Sequence, residues 1–284
     1  MPFATRIRPH RRGRAPAVRA GTVPRMSAAV PTPADGLWAR WRGWWEVLLF
    51  AALTVVYEVA RWAVRPQGDD AVARAHDHAA VIVDAEKAIG LAVEGDVQRL
   101  THDLPGGEWF TTQWYSYAHT PGFILFFAAV WWLRRRWFPF VRNAFWIGHA
   151  IAVLVFWVFP MAPPRFADPG LKDPTNEALR AGGALDWFQQ FRNEYAAMPS
   201  LHMGYTFFFA LILWWLLRGH RWRWVVWLWP ATLVWVTMAT ANHFWLDGVG
   251  GAAVMATALA IAAALLPRAM PRTWAYRTPT EDAS

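Results

Sequence analysis

Six apolar segments, each close to the length of a membrane-crossing helix, limit the folds that this chain can adopt. Hydrophobic residues make up 56% of the sequence, and 22 residues are Trp. A helix needs roughly 20 residues to cross about 30 Å of hydrocarbon, and it satisfies its own backbone hydrogen bonds there. The sequence therefore predicts an all-α, polytopic membrane bundle of six transmembrane helices. The predicted spans are residues 45–64, 112–133, 143–161, 200–217, 224–242 and 247–267.

The segments outside these spans differ from them in composition. Residues 1–43 contain nine Arg, several Pro and few apolar residues, which is typical of a disordered tail. Residues 69–103 mix Ala and Val with acidic residues and His, and this pattern predicts an interfacial amphipathic helix rather than a seventh span. We therefore expect one membrane domain, residues 44–267, between the basic tail and a C-terminal tail, residues 268–284.

The distribution of Lys and Arg predicts how the helices are oriented. Nine of these residues lie in the N-terminal tail, four from Arg134 to Arg142, three from Arg218 to Arg223 and three after residue 267. Cytoplasmic loops are enriched in them, and six spans place all four clusters on one side. Both termini are therefore predicted to be cytoplasmic, in a protein of the plasma membrane. Attraction to anionic lipid headgroups accounts for the net charge of +8, so nucleic acid is not expected as a partner.

Several kinds of chemistry are excluded by residues that the chain lacks. It has no Cys, which excludes disulfides and thiolate metal sites, and it contains no dinucleotide-binding or P-loop motif. We expect neither a metal site nor a cofactor. Catalysis must then rely on His, carboxylate, hydroxyl or Arg groups.

Four ionisable residues lie at the predicted outer ends of the spans, although they are far apart in sequence. Arg165 follows the third span, and His202 begins the fourth. His243 and Asp247 connect the fifth span to the sixth. An ionisable side chain at the bilayer centre costs roughly 2.5 to 3.5 kcal/mol, so a shared depth indicates shared chemistry. We predict that these four side chains form one pocket at the outer membrane surface.

Arg165 and the start of the fourth span suit a phosphate ligand. A guanidinium matches phosphate oxygens in a bidentate way, and a helix N-terminus presents free N–H groups to an anion. Pro199 fits the first helical turn. We therefore expect the amides of Ser200, Leu201 and His202 to face the phosphate, with the Ser200 hydroxyl as a further donor. Taken alone, Arg165 is also compatible with an interfacial anchor.

His243 and Asp247 are four residues apart, which places both on one face of a helix. The carboxylate can then accept a hydrogen bond from one ring nitrogen and leave the other nitrogen free to attack phosphorus. This spacing predicts a phosphoryl nucleophile together with the group that orients it.

Four more polar residues are candidates for the pocket because the same topology places them at the outer face. His119 lies near Tyr115 at the outer end of the second span, where it either lines the pocket or marks the membrane interface. Asn242 immediately precedes His243, and Arg192 lies in the outer loop before the fourth span.

Two segments resemble the second and third signatures of the type 2 phosphatidic acid phosphatase superfamily: Ala197–His202 and His243–Asp247. Three further features resemble its inositol phosphotransferase (inositol phosphorylceramide synthase-like) branch. These are the Pro-Pro-Arg sequence at Pro163–Arg165, Leu rather than Gly before the second-signature histidine, and the segment Tyr115–Pro121. The resemblance covers residues 75–266.

This resemblance implies a metal-independent reaction in two steps. His243 attacks phosphorus to give a phosphohistidine, and Asp247 orients and charge-stabilises it. His202 protonates the leaving alkoxide and later acts as the base on water or an acceptor hydroxyl. Arg165 holds the phosphoryl oxygens.

The chain departs from the phosphatase branch at two cationic positions. Val158 replaces a lysine seven residues before the first-signature arginine, and Thr237 replaces an arginine six residues before the third-signature histidine. Arg192 or Lys172 is a candidate substitute. These departures favour the transferase branch over plain phosphatidic acid phosphatase activity.

The sequence therefore predicts an integral membrane lipid phosphotransferase that acts on a phospholipid or polyprenyl phosphate at the outer face. One alternative is a metal-independent lipid phosphate phosphatase, with water as the acceptor. Another is a non-catalytic lipid-binding or transport protein whose histidines only bind a headgroup. Membrane lipids are the expected partners, and no obligate protein partner is expected.

Overall fold

The computed structural model describes residues 37–175 and 192–270, with the side chains of all of them except 37–42 and 118–120. Within these ranges every regular element is helical, apart from a single bridge between Met161 and Ala196. The predicted all-α class is thus confirmed for this part of the chain. Most of the predicted N-terminal tail and of the C-terminal tail lies outside the described residues.

The described residues contain ten α-helices. A π-helical turn spans Trp114–Ala118, and 3₁₀ turns span Arg135–Trp137 and Arg221–Trp227. The chain divides into two compact units between Val47 and Leu48, so α1 begins in the first unit and ends in the second. The helices are α1 (Leu37–Ala63), α2 (Asp69–Ala88), α3 (Glu94–Asp103), α4 (Gly107–Gln113), α5 (His119–Arg134), α6 (Phe138–Val158), α7 (Pro164–Ala167), α8 (Leu201–Leu216), α9 (Leu228–Ala239) and α10 (Trp245–Ala269).

Within the described residues, three stretches are long and apolar enough to cross a membrane: Gly43–Ala63, Pro121–Val158 and Trp245–Ala269. The second, of 38 residues, contains both α5 and α6. Ring contacts show that these two helices run antiparallel, because Phe123 meets Phe145 at 5.4 Å while Phe127 meets Phe138 at 6.0 Å. Length and composition therefore support three spans, and the middle one is a hairpin of two helices.

Two predicted elements differ from the observed ones. Residues 69–103 form two helices rather than one, because the chain turns at Gly90, whose φ of 72° is readily adopted only by glycine. The predicted span 224–242 is helical only in α9, since Arg221–Trp227 is a 3₁₀ turn. The result is an α9 of 12 residues, shorter than a helix that crosses the hydrocarbon unaided.

One face of α2 packs on the rest of the protein. Its buried residues recur at helical spacing: Ala75, Ala79, Ile82 and Glu86. The apolar members of this face pack with the segment after α6 and with the start of α10 in one cluster. This packing brings the C-terminal half of α2 against the segment that carries the third signature.

Two glycines let α8 and α10 approach each other at backbone distance. A Cβ atom built on Gly204 would lie 2.7 Å from the carbonyl oxygen of Gly251, and one built on Gly251 would overlap the carbonyl oxygen of Ser200. Real Cβ atoms do not approach other atoms this closely, so a larger residue at either position would force the helices to shift. This close crossing sets the separation between the first turns of the two helices, which carry His202 and Asp247.

The turns rich in Arg and Trp lie at one end of the helices. Trp137, between α5 and α6, contacts Trp215 at the end of α8 with ring centroids 6.0 Å apart. Trp214 contacts Trp224 at 5.6 Å, and the guanidinium of Arg223 lies 4.1 Å from the Trp214 ring centre. The signature residues therefore lie at the opposite end, where α8 and α10 begin.

Candidate active site

The two signature histidines face each other across a short gap. His202 is the second residue of α8, and His243 lies in the loop between α9 and α10. Their ring centroids are 5.8 Å apart, with 55° between the ring planes. A reacting phosphorus needs to lie about 3 to 3.5 Å from its nucleophile, and the leaving oxygen about 3 Å from its proton donor. The separation of the rings allows both contacts to one phosphoryl group.

The hydrogen bonds of His243 define its tautomer. Its Nδ1 lies 2.9 Å from the carbonyl oxygen of Ala197 and 3.3 Å from Oδ2 of Asp247. Because both partners are acceptors, Nδ1 carries the proton and donates it, and Nε2 keeps its lone pair. The sequence pointed to Asp247 but not to the Ala197 carbonyl, which is the nearer partner.

Burial keeps the imidazole of His243 neutral. Loss of solvation lowers the pKa of His243 to about 3, the Ala197 carbonyl opposes this shift, and the positive charges of Arg165 and Arg61 add to it. A nucleophilic nitrogen must be unprotonated. His243 therefore meets this requirement at neutral pH.

Asp247 joins the two helices that carry the signatures. The residue is fully buried, and its Oδ2 also accepts from the backbone N–H of Phe244 at 3.0 Å. Its carbonyl oxygen accepts from the N–H of Ser200 at 2.9 Å. Among the described residues, its Oδ1 has no hydrogen-bond partner. The Asp247 side chain is thus fixed through Oδ2, and its Oδ1 can still accept a hydrogen bond.

The start of α8 differs from the sequence expectation in two respects. Ser200 is the N-cap, with its hydroxyl oxygen accepting from the N–H of Met203 at 3.3 Å, so Pro199 precedes the helix instead of forming its first turn. The Ser200 amide donates to the Asp247 carbonyl and cannot face a phosphate as predicted. Leu201, the first helical residue, is buried. The Ser200 amide connects α8 to α10 instead of binding an anion.

Arg165, on α7, is held by groups from three segments. Its Nη1 donates to Oδ1 of Asn242 at 2.8 Å, and its Nε lies 2.8 Å from Oδ2 of Asp173. The Nε–H does not point at that oxygen, so the second contact is an ion pair without a hydrogen bond. Oε1 of Glu194 is 3.9 Å from Nη2. A phosphate would compete with these two carboxylates, which the sequence did not indicate, for the guanidinium.

Asn242 is positioned by the turn that ends α9. Ala241 has a φ of 51°, in the left-handed region that L-residues rarely adopt. The Asn242 side-chain N–H₂ donates to the hydroxyl oxygens of Thr240 and Thr175, at 2.9 and 3.3 Å. Asn242 therefore presents its oxygen to Arg165, which connects the guanidinium to the loop that carries His243.

Of the remaining pocket candidates, the structure describes the side chains of Tyr115 and Arg192 but not that of His119. Tyr115 is buried, and its ring centroid is 5.1 Å from that of His202. Arg192, Arg165 and Arg61 all act electrostatically on Tyr115, so Arg192 lies on the same side of the protein as the histidines. The side chain of His119 lies outside the described residues.

Arg61 is a cation near the site that the sequence did not indicate. It lies in the last turn of α1, and its carbonyl oxygen accepts from the side-chain amide of Asn193 at 3.2 Å. It acts electrostatically on both His243 and Tyr115. Its position in a predicted span gave no reason to connect it with residues more than 100 positions away.

No positive charge replaces the missing cations at the two positions where the chain departs from the phosphatase branch. Val158 is 67% exposed at the end of α6, and Thr237 is buried with its hydroxyl donating to the Leu233 carbonyl at 2.8 Å. Lys172 lines a cavity of about 190 Å³ that includes none of His202, His243, Asp247 or Arg165. This placement favours Arg192 and Arg61 over Lys172 as the additional cations. Across residues 37–175 and 192–270, no group of three or more His, Asp or Glu is arranged to hold a metal ion.

Comparison with known proteins identifies the family of this chain. The PAP2 superfamily model matches residues 80–261, and the chain belongs to that superfamily. The chain is also similar to inositol phosphorylceramide synthase from Candida albicans (strain SC5314 / ATCC MYA-2876), with 30% identity over 131 residues. The match covers 40% of this chain and 27% of that relative, so it spans about a quarter of the relative's length. No solved structure matches the chain at a significant level.

These findings confirm the family resemblance deduced from the signatures, including its likeness to the inositol phosphotransferase branch. Together with the apolar helices of the described residues, they support a multi-pass membrane protein of the PAP2 superfamily and, at a general level, a phosphatase or phosphotransferase.

Proposed function

We propose that this protein is an integral membrane lipid phosphotransferase that works through a phosphohistidine at His243. The observation that carries the proposal is the state of that ring. Its Nδ1–H is held by Ala197 and Asp247, and the ring lies opposite His202 at 5.8 Å. A neutral imidazole with an oriented lone pair, next to a second histidine, is the arrangement that nucleophilic catalysis with general acid help requires.

In the first step, Nε2 of His243 attacks phosphorus and the bond from phosphorus to the leaving alkoxide breaks. His202, in its protonated form, gives its proton to that alkoxide. Asp247 stabilises the positive charge that develops on the His243 ring. Arg165 binds the phosphoryl oxygens in place of the Asp173 carboxylate.

In the second step, His202 takes a proton from the hydroxyl of an acceptor alcohol. The alcohol oxygen bonds to phosphorus, and the bond between phosphorus and Nε2 breaks. Both histidines then return to their starting states, so the cycle consumes no metal ion or cofactor. General acid–base catalysis of this kind contributes about 100 to 10,000-fold.

The proposed setting is a six-span bundle of α1, α5, α6, α8, α9 and α10 in the plasma membrane. Both termini are cytoplasmic, and the histidines lie at the outer face, with α2 at the membrane surface. Support comes from the Arg- and Trp-rich turns, which share the end opposite the histidines. Such turns are typical of a cytoplasmic interface.

Similarity to inositol phosphorylceramide synthase favours transfer to an alcohol over transfer to water. We therefore propose a phospholipid or polyprenyl phosphate as the donor and a lipid or polyol hydroxyl as the acceptor. Hydrolysis by the same residues is the competing outcome.

The test is lipid mass spectrometry of the purified protein in vesicles with phospholipid donors and candidate alcohols. We expect a new phosphodiester lipid that disappears in His243→Ala and persists in the matched control His220→Ala, whose histidine is exposed at the opposite end. When the donor is labelled at its phosphorus, the label should be found on His243, even in the presence of a metal chelator. Release of the headgroup phosphate from a diester donor, or of inorganic phosphate from a monoester donor, without a new lipid would identify hydrolysis. An unchanged lipid pool would indicate a protein that only binds lipid.

A further inference from the structure

The first turn of α10 is bound by carboxyl groups from two other helices. Oε1 of Glu94, on α3, accepts from the N–H of Trp245 at 3.0 Å, and Oε1 of Glu86, on α2, accepts from the N–H of Leu246 at 3.2 Å. The first N–H groups of a helix have no partner within the helix. Two of them are therefore satisfied by acids that lie 151 and 160 positions away in sequence.

Both glutamates are buried next to the catalytic carboxylate. Glu86 is fully buried, and Glu94 is 5% exposed. The acidic groups facing Glu86 are Glu94 from α3 and Asp247 from α10, and both glutamates act electrostatically on Asp247. Such a cluster is costly unless charge is removed from it.

The other ionisable groups around Glu86 do not provide a compensating charge in the described part of the chain. Its neighbours on α2, Asp84 and Lys87, are exposed. Arg165, on the helix that packs near Ala75 of α2, is paired with Asp173. His243 lies beyond Asp247 and is neutral.

The N–H groups of two consecutive residues, Trp245 and Leu246, hold the two carboxyl groups next to each other. Two ionised carboxylates repel each other and only accept hydrogen bonds, so a bond between them needs a proton on one of them. Oε2 of Glu86 is buried and accepts no hydrogen bond from the described residues. A proton on the Glu86 carboxyl group allows it to donate a hydrogen bond to the Glu94 carboxylate. Burial and the charge of Glu94 raise the pKa of Glu86 to about 8, which places the proton on Glu86 at neutral pH.

We propose that Glu86 and Glu94 are positioning residues of the active site. They form a carboxyl–carboxylate pair that shares one proton and fixes the first turn of α10, and with it Asp247 and the ring of His243. The pair does not touch the reacting atoms, and its effect on the reaction rests on the proposed function of His243.

The shared proton makes the arrangement sensitive to pH. The folded protein retains a proton on Glu86 that the unfolded chain releases near pH 4.5. The stabilisation is complete below that pH and is lost as the pH rises through about 8. Above it, two adjacent negative charges repel each other beside Asp247, and the first turn of α10 loosens. Turnover is expected to fall on the alkaline side for this reason.

Substitutions at Glu86 separate positioning from simple space filling. In Glu86→Gln the amide oxygen accepts from Leu246 and the amide N–H₂ donates to Glu94, so the contacts of the protonated acid are kept at every pH. We expect turnover at pH 7 within about twofold of wild type, and a smaller alkaline decline than in wild type, because only the loss of the His202 proton then contributes to it. In Glu86→Ala we expect kcat to fall by up to about 100-fold at nearly unchanged KM, because the nucleophile is misplaced. Asp84→Asn, on the exposed face of α2, is the control and should alter neither rate nor pH profile.

The proposal is overturned if the alkaline decline of Glu86→Gln is as steep as that of wild type, or if this variant loses as much activity as Glu86→Ala. If Glu86→Ala fails to fold, the pH profile of Glu86→Gln still tests the proposal. Thermal unfolding of the detergent-solubilised protein gives a readout that needs no substrate. The melting temperature of wild type should fall between pH 5 and 8 more steeply than that of Glu86→Gln, and equal slopes also overturn the proposal. A wild type inactive on every lipid would contradict the proposed function alone, and the melting slopes would still test the shared proton.

Discussion

The helices that carry the second and third signatures begin in different ways. The start of α8 is capped within its own sequence, by the Ser200 hydroxyl on the N–H of Met203, three residues on. The start of α10 has Phe244 as its N-cap, whose side chain has no acceptor. Its amides bond to Asp247 and to two glutamates from α2 and α3.

This difference shows which half of the active site depends on the whole fold. The helix turn that carries His202 has a side-chain cap that any chain with this local sequence can form, in addition to the bond from the Ser200 amide to Asp247. The geometry of His243 and Asp247 also needs α2 and α3, which lie outside both signatures. A signature match therefore points to the proposed nucleophile but not to the groups that hold it in place.

The largest effect is expected on the α10 side, from Asp247→Asn. The amide side chain is nearly the same size, but its N–H₂ group favours the wrong imidazole tautomer, as in the equivalent change of a serine protease triad, where kcat falls about 10,000-fold. We expect a loss of that order in the initial rate of lipid phosphotransfer. The folded fraction, judged by size-exclusion elution, should match that of wild type. A loss below tenfold would show that the Ala197 carbonyl alone selects the tautomer.

An intermediate effect is expected where the two helices cross, from Gly251→Ala. The added methyl group would overlap the Ser200 carbonyl oxygen and lie 3.0 Å from the N–H of Gly204. Overpacking of this kind costs about 1 to 3 kcal/mol, and the helices should separate enough to slow turnover as well. Thermal unfolding and initial rates measure the two effects. Gly219→Ala is the control, because nothing lies within 4 Å of its added methyl group. Equal melting temperatures for the two variants would contradict the close crossing.

The smallest effect is expected from Ser200→Ala, at the locally capped start of α8. Loss of an N-cap side chain typically costs about 1 kcal/mol. The Ser200 amide still donates to Asp247, so the link to α10 survives. We expect a small drop in melting temperature and a rate within about tenfold of wild type. If this variant instead lost more activity than Glu86→Ala, the contrast between the two caps would be reversed, and the Ser200 hydroxyl would have to contact the substrate.

Much of the site could be predicted from sequence because its signals are local. The four-residue spacing of His243 and Asp247 indicated the orienting contact that the structure contains at 3.3 Å. The Ser-containing start of α8 was also recognisable, although the Ser200 amide bonds to Asp247 rather than facing an anion. That error arose because the partner of this amide lies 47 positions away, where no local pattern refers to it.

The sequence by itself determined the helical class of the described residues, the apolar stretches long enough to cross a membrane and the residues that we propose for catalysis. Those features follow from composition, run length and short spacings, which act over one or two helical turns. The tertiary structure decided that Ala197 shares the proton of Nδ1, that Asp173 and Asn242 hold Arg165, and that Glu86 and Glu94 bind the first turn of α10. These contacts join segments far apart in the chain, and a buried polar group takes whichever partner the packing of the helices brings within reach.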